Sequence, residues 1–333
     1  MNIGFYVGYN KFSLDSKFRQ VLGDELLMES LCRAINRQFP DIQAELYAPN
    51  YLPKQKLAAM IYLHDTPPSR DMADRSILYI QNGERFSIEA QDVIRNRCKK
   101  EYDGYVFFSK KLFDVYHGLV EKAAPSLYLP FGVDTTLFHP RSVDEKYRFE
   151  CSYVGNDIKG TAATWKYLYP AVDFDFGLFG TWNLLFLRNN AYRFGSQLGW
   201  RAIRYKLAFS RISRGKIPQE DVPVLYSSSK INLNCTQQTC MDWDVITLRT
   251  FEVLACRGFL ITDIVPSARQ TMSDCMVFTT GGRDLTEKIR YYLDHEDERL
   301  AIAQRGYEYV QKGATIDVRA RELVAFLKAY FVS

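Results

Sequence analysis

Three stretches of the sequence combine reactive residue types with a spacing that lets them act together. In ITLRTFEVLACRGFLITD (246–263), Arg249 and Glu252 lie three apart and so share one face of a helix near its first turns. A surface ion pair would account for them. Against that, the helix is otherwise apolar and small, and Gly258 ends it directly before a buried strand. A charged pair at the entry of a packed helix suits a phosphate and a ribose, since Arg neutralises the phosphate and Glu accepts bonds from vicinal hydroxyls. In VGNDIKG (154–160), Gly155 follows a strand and precedes a helix. Backbone N–H groups at such a turn favour a phosphate, and Lys159 adds charge, although an ordinary strand–helix turn reads the same way. The turn is neither GxGxxG nor a Walker loop. Asp65 follows AAMIYLH and precedes TPP. A carboxylate at a strand end, held by a proline-restricted turn, is placed either as a general base or as a turn cap. His64 beside it is a second polar group or simply a strand-end residue.

Residues 188–216 hold eight basic residues and no acid: Arg188, Arg193, Arg201, Arg204, Lys206, Arg211, Arg214 and Lys216. Tyr192, Phe194, Trp200, Tyr205 and Phe209 are interleaved. Such a stretch tracks a nucleic-acid backbone, lies on an anionic membrane or glycan surface, or is an amphipathic helix with a basic solvated face. Arg193, Arg201, Arg204, Lys206 and Arg211 are the candidate polyanion contacts. Two D-x-D triplets, Asp173 with Asp175 and Asp242 with Asp244, have oxygen ligands for a cation, but such triplets arise by chance and no metal is assigned.

Several elements must position these residues. Residues 3–7 form a short apolar run ending at Gly8, and 22–39 carries apolar residues at helical spacing. Strand-like runs follow at 44–47, 58–63, 76–80, 104–108 and 126–130, with helical stretches at 86–100 and 110–121. At LPFGVDTTLFHPR (129–141) the periodicity stops, which marks a domain boundary. A second series follows: strands at 149–154, 173–179, 229–234, 258–262 and 276–279, and helices at 161–169, 247–257, 284–293, 297–311 and 315–331. Strands alternating with helices predict an α/β fold of two Rossmann-like domains around parallel sheets, with a cleft between them. The predicted limits are 1–135 and 136–314, with the helix at about 315–333 packing back on the first domain. Ligands bind beyond the carboxyl ends of parallel strands, where these motifs fall.

The chain has 333 residues, 47% hydrophobic and 25% charged, which excludes a disordered, collagen-like or disulfide-miniprotein chain. Its net charge of +4 names no partner. Seven cysteines, an odd number with no CxxC, predict reduced thiols and a cytoplasmic location, and four dispersed histidines argue against a histidine metal cluster. The N-terminus lacks a signal-peptide pattern and no apolar run is long enough to span a membrane; peripheral membrane contact stays open.

Taken in order, LPFGVDTTLFHP, SYVGNDIKG, FGLFGTW, GKIPQEDVPVLYSSSKINLN and LRTFEVLACRGFLITD resemble the GT-B superfamily of sugar-nucleotide glycosyltransferases, and most of all its CgeB-like (spore-maturation-type) members. GKIP (215–218), ITLRTFE (246–252) and YLHD (62–65) are also similar to the phage DNA β-glucosyltransferases. The resemblance implies a nucleoside-diphosphate sugar, UDP-linked by preference, as co-substrate, with no metal required by the sequence. It implies Asp65 as the base that deprotonates an acceptor hydroxyl, Arg249 on the diphosphate and Glu252 on the ribose. Gly8, Gly155, Asn156, Lys159 and Gly180 would line the donor, with Ile217 near the nucleobase. The sequence departs from the Glu-x7-Glu of many retaining members, because the first acid is Asp244; an inverting reaction is expected. A surface glycan or protein is the implied acceptor, and hydroxymethylated DNA the alternative. A non-catalytic protein binding a nucleotide, sugar or nucleic acid is the reading from another class.

Overall fold

The computed structural model describes residues 1–11, 23–63, 66–80, 89–98, 102–120, 124–182 and 197–331. The chain divides into two compact units. The first comprises Met1–Gly132, Trp243–Val245 and Thr315–Ser333, and the second Val133–Asp242 and Ile246–Ala314.

The first unit contains strands β1 (Asn2–Tyr6), β2 (Gln43–Tyr47), β3 (Leu57–Tyr62), β4 (Ala73–Ile80), β5 (Gly104–Phe107) and β6 (Ser126–Tyr128). Its helices are α1 (Gly23–Gln38), α2 (Ala90–Arg97), α3 (Lys110–Leu119) and, from the end of the chain, α12 (Ile316–Tyr330). The strands form one parallel sheet in the order β2-β1-β3-β4-β5-β6. They read as near-continuous apolar runs because helices cover both faces of such a sheet; all four residues of β5 are buried. The switch in strand order falls between β1 and β3, where Tyr6 stands opposite Tyr62. Helix α12 docks on α1 through an Arg37–Asp317 ion pair and a 2.8 Å bond from Arg321 to Gln38. The side chain of Thr315 caps α12 by accepting from Val318 N.

The second unit contains β7 (Cys151–Val154), β8 (Phe176–Phe179), β9 (Ile231–Leu233), β10 (Leu260–Asp263) and β11 (Val277–Thr279). Its helices are α4 (Thr161–Tyr167), α5 (Gln197–Ile212), α6 (Val222–Ser228), α7 (Gln238–Asp242), α8 (Leu248–Ala255), α9 (Pro266–Thr271), α10 (Arg283–Asp294) and α11 (Glu296–Gly313). The parallel order is β11-β10-β9-β7-β8, with the switch between β7 and β9. A buried asparagine ties these two strands together. Asn232 accepts from Ser152 Oγ at 2.9 Å and donates to the Tyr226 carbonyl at 3.1 Å. Gly258 is required beside it, because a Cβ there would sit 2.8 Å from Asn232 Nδ2.

Helix α5 covers β8 by burying Tyr205 and Phe209. The Phe209 ring meets Trp182 edge-on at 5.0 Å and Phe176 at 6.1 Å. Phe209 is fully buried, so Phe209→Ala should cost about 3–5 kcal/mol of stability. Urea denaturation followed by far-UV circular dichroism measures it; an unchanged midpoint would mean that α5 is not packed as described.

Candidate functional site

In a parallel α/β sheet the crevice beyond the carboxyl ends of the strands opens where the strand order switches. In the second unit that place is bounded by the turn after β7, the end of β9 and the first turns of α8.

The turn after β7 is built by close backbone approach. Gly155 N donates to the Phe179 carbonyl at 3.0 Å, and Gly180 N to the Gly215 carbonyl at 2.7 Å. Gly180 has φ of +126°, and a Cβ on it would stand 2.1 Å from the Gly155 carbonyl oxygen, so only glycine fits. Asn156 Oδ1 accepts from Thr181 N at 2.9 Å, which fixes the turn after β8 beside the turn after β7. The same Gly180–Gly215 bond brings in GKIP. Its Ile217, like Val154, packs against a small apolar cluster containing Phe149 and Phe179.

Arg249 is in the first turn of α8, half-buried. Its Nη1 donates to Asn234 Oδ1 at 2.9 Å, and its guanidinium carbon lies 4.8 Å from the centre of the Tyr153 ring. Asn234 is fixed in turn by donating to Thr262 Oγ1 at 3.1 Å. The buried Asp263 accepts from Thr236 N and Thr236 Oγ1, both at 2.7 Å, and from Thr262 Oγ1 at 3.0 Å. A Cβ on Gly155 would fall 2.9 Å from Arg249 Nη2 and 2.8 Å from Tyr153 Oη. The missing side chain therefore leaves the guanidinium within reach of the turn.

Burial together with the neighbouring Arg249 charge lowers the Lys159 pKa to about 8. Among the described residues no carboxylate forms an ion pair with Lys159 or Arg249. Two cations thus stand at one turn with no carboxylate bonded to either among the described residues, while Glu252 and Asp263 act on them only through space. Glu252, one turn beyond Arg249, has its pKa pushed up to about 7 by burial, against the pull of the Arg249 charge. Burial also raises the Cys235 thiol, to about 12, and the Cys240 thiol, so neither is a thiolate nucleophile at neutral pH.

The structure thus gathers Gly155, Asn156, Lys159, Gly180, Ile217, Arg249 and Glu252 around one end of one sheet. Tyr153 was missed from sequence. It reads as a core strand residue, yet its hydroxyl is buried with no hydrogen-bond partner among the described residues, as is that of Thr247 at the N-cap of α8. The unmet Tyr153 hydroxyl lies beside the Arg249 guanidinium, and a buried polar group of that kind calls for a partner, whether water, ion or ligand.

Other expected residues fall elsewhere. Gly8 follows β1 at the switch point of the first unit. His64, Asp65 and Arg193 lie outside the described residues. Asp244 groups with the first unit, in a left-handed conformation at φ 55°. On α5, Arg201, Arg204 and Arg211 are exposed. Lys206 does not join them. It is buried and ion-paired with Asp157, which also accepts from Tyr205 Oη at 3.1 Å. The reason is helix phase: Lys206 adjoins Tyr205 on the side that α5 turns to the sheet. Among the described residues no group of three or more His, Cys, Asp or Glu side chains could hold a metal.

Residues 167–325 match the model of a family described as glycosyl transferase-like. The spore protein CgeB of Bacillus subtilis is 29% identical over 122 residues, which cover 34% of this chain and 36% of that protein. The match thus spans about a third of the relative's length. Among solved structures, sucrose-phosphate synthase from Thermosynechococcus elongatus superposes with a TM-score of 0.68 at 13% identity, covering 99% of each chain. Anabaena HepE in complex with UDP gives 0.61 at 11%, covering 99% of this chain and 100% of that one. A T4 phage BGT mutant in complex with UDP-glucose gives 0.60 at 14%, covering 99% of each.

The raised Glu252 pKa has a consequence for stability. Between its ordinary value of 4.5 and about 7 the folded chain holds a proton that the unfolded chain has lost. Stability must therefore fall as pH rises through that window. Urea midpoints measured from pH 5 to 7 should show this slope, and Glu252→Gln should flatten it. An equal slope in the variant would remove Glu252 as its source.

On fold, family match and relative together, the chain is a protein of the GT-B fold that resembles the CgeB-like glycosyltransferases.

Proposed function

We propose that this protein transfers a sugar from a nucleoside-diphosphate sugar, a UDP-sugar by preference, to an acceptor hydroxyl. One observation carries the reading: Arg249 and Lys159, with no ion-paired carboxylate among the described residues, stand at the Gly155 turn at the switch point of the second sheet. A diphosphate supplies the missing negative charge, and the backbone of the turn supplies N–H donors. Ile217 offers an apolar wall to a nucleobase, and Glu252 an acceptor for ribose hydroxyls. HepE in complex with UDP and T4 phage BGT in complex with UDP-glucose share this fold, which supports a uridine nucleotide as donor.

Asp65 acts as the base. It stands three residues beyond the end of β3, the strand that flanks the switch point of the first sheet. Its carboxylate takes the proton of the acceptor hydroxyl, whose oxygen attacks the anomeric carbon. The bond to the diphosphate breaks, and its electrons leave with the phosphate oxygen held by Arg249 and Lys159. Direct displacement inverts the anomeric configuration. The acceptor is a surface glycan or protein, in keeping with the likeness to CgeB. Hydroxymethylated DNA is the second reading, favoured by the GKIP and ITLRTFE motifs and by the likeness to T4 phage BGT.

Thermal shift against UDP-, GDP-, ADP- and CMP-sugars tests the donor. A nucleotide at about 100 times its dissociation constant adds about 2.7 kcal/mol of stability. Arg249→Ala should weaken that nucleotide about 10- to 100-fold. No shift with any nucleotide would refute the donor site, and binding without transfer to any acceptor would leave a binding protein.

Three variants divide the roles. Asp65→Ala should keep donor binding and lose transfer; wild-type turnover would remove the base assignment. Tyr153→Phe should leave stability unchanged or raised, because it deletes an unmet buried hydroxyl, while donor affinity falls about 3- to 10-fold. Unchanged affinity would make Tyr153 a core residue only. Nucleotide affinity should also fall as pH rises through about 8, where Lys159 loses its proton, and Lys159→Met should abolish that dependence.

A further inference from the structure

The outer side of α5 is the part of the molecule that the donor reading leaves unused. Its five exposed described residues are Trp200, Arg201, Arg204, Leu207 and Arg211. Trp200, Arg204, Leu207 and Arg211 follow one another at spacings of four, three and four, so they form a single stripe along the helix. Trp200 is 63% exposed and Leu207 40%. A helix that needed only solubility would not leave a tryptophan and a leucine on its wet side among arginines. No residue of α5 is acidic.

Neighbouring groups extend the same character. Arg201 and Arg204 stand 5.8 and 5.9 Å from the Trp165 ring, which is itself stacked on Tyr169 at 4.2 Å. Helix α4 contributes the exposed Lys166 and, like α5, no acid. At the far end, Arg211 and Arg214 line a pocket of about 440 Å³ with Val172, Phe174 and Ile212. Asp175 stands in the same wall, leaving two positive charges against one negative.

We propose that this face docks the protein on the surface of an anionic lipid bilayer, with Arg201, Arg204 and Arg211 on lipid phosphates and Trp200 and Leu207 entering the headgroup boundary. The charge is complementary, and the mixture of apolar and cationic side chains on one stripe is what an interfacial helix presents. Duplex DNA would satisfy the arginines but offers nothing to Leu207, and stacks on an exposed aromatic only when its bases are unpaired. The contact is shallow. Tyr205 and Phe209 are committed to the core, so only the outer stripe is available and charge attraction supplies most of the affinity. The inference does not depend on the donor site.

Flotation with phosphatidylcholine vesicles, and with vesicles that also contain phosphatidylglycerol, tests it on the full chain. The protein should float with the anionic vesicles alone and be released by salt. Arg204→Gln with Arg211→Gln should weaken binding about 25-fold, at about fivefold per arginine. Trp200→Ser with Leu207→Ser should also weaken it, with the thermal melt unchanged since both residues are exposed. The tryptophan emission should shift to the blue on binding in wild type and not in Trp200→Phe. Equal binding to neutral vesicles, or no binding to either, would overturn the proposal. So would salt-sensitive binding to duplex DNA that survives the Trp200 and Leu207 substitutions, which would assign the face to nucleic acid.

Discussion

The guanidinium of Arg249 must be held in a half-buried place while keeping its charge available. Direct pairing with a carboxylate would hold it but would cancel the field it presents to a ligand. The second unit solves this with neutral dipoles. Arg249 donates to the Asn234 amide, Asn234 donates to Thr262, and Thr262 and Thr236 donate to Asp263. The buried negative charge of Asp263 is met by one N–H and two hydroxyls rather than by the arginine. Asn234 and Thr236 follow β9, Thr262 and Asp263 end β10, and Arg249 opens α8. The cation is therefore aimed by the pairing of two strands, and anything that shifts their register moves it.

The same constraint accounts for the glycines. Gly155 leaves room for the arginine, and Gly180 lets the turn after β8 touch the turn after β7. These close approaches occur at the edge of the β7–β9 switch, where crossovers leave in opposite directions and a crevice opens. The first sheet has an equivalent switch between β1 and β3. Gly8 and the sequence around Asp65 follow those two strands. Gly8, Gly155 and Gly180 thus stand just beyond strand ends, where a parallel sheet can expose backbone donors without giving up its core.

Much of this was legible in the residues. Apolar runs punctuated by glycine and proline mark strands that the two parallel sheets contain, because a strand covered on both faces has few other ways to read. Arg249 and Glu252 stood out because charge interrupts an apolar helix. What escaped the sequence is what depends on distant partners or on phase. Asn234 and Asp263 are 29 residues apart, and nothing local to either marks their connection through Thr262. Tyr153 looks like any strand aromatic until its hydroxyl is seen to lack a partner among the described residues. Lys206 belongs to a basic run, and composition cannot say which residues of the run face inward. That depends on Tyr205 and Phe209 seeking the core and on Asp157, far away in sequence, being there to receive the ammonium.

That inward lysine gives α5 two roles on one rigid body. Asp157 directly follows Asn156 in the turn after β7, and Lys206 and Tyr205 both grip it. The pair is well buried, with only 6% of the Lys206 side chain and 13% of the Asp157 side chain exposed, so breaking it would strand an uncompensated charge. The turn that carries Gly155 and Lys159 is consequently fastened to the inner side of the helix whose outer side carries Trp200, Arg204, Leu207 and Arg211. The outer stripe and the Gly155 turn are thus separated by one helix diameter and one ion pair, with no loop between them. Had the lysine faced outward with the other basic residues, the helix would carry one more surface charge, and the turn would lose the anchor that sets where its cations point.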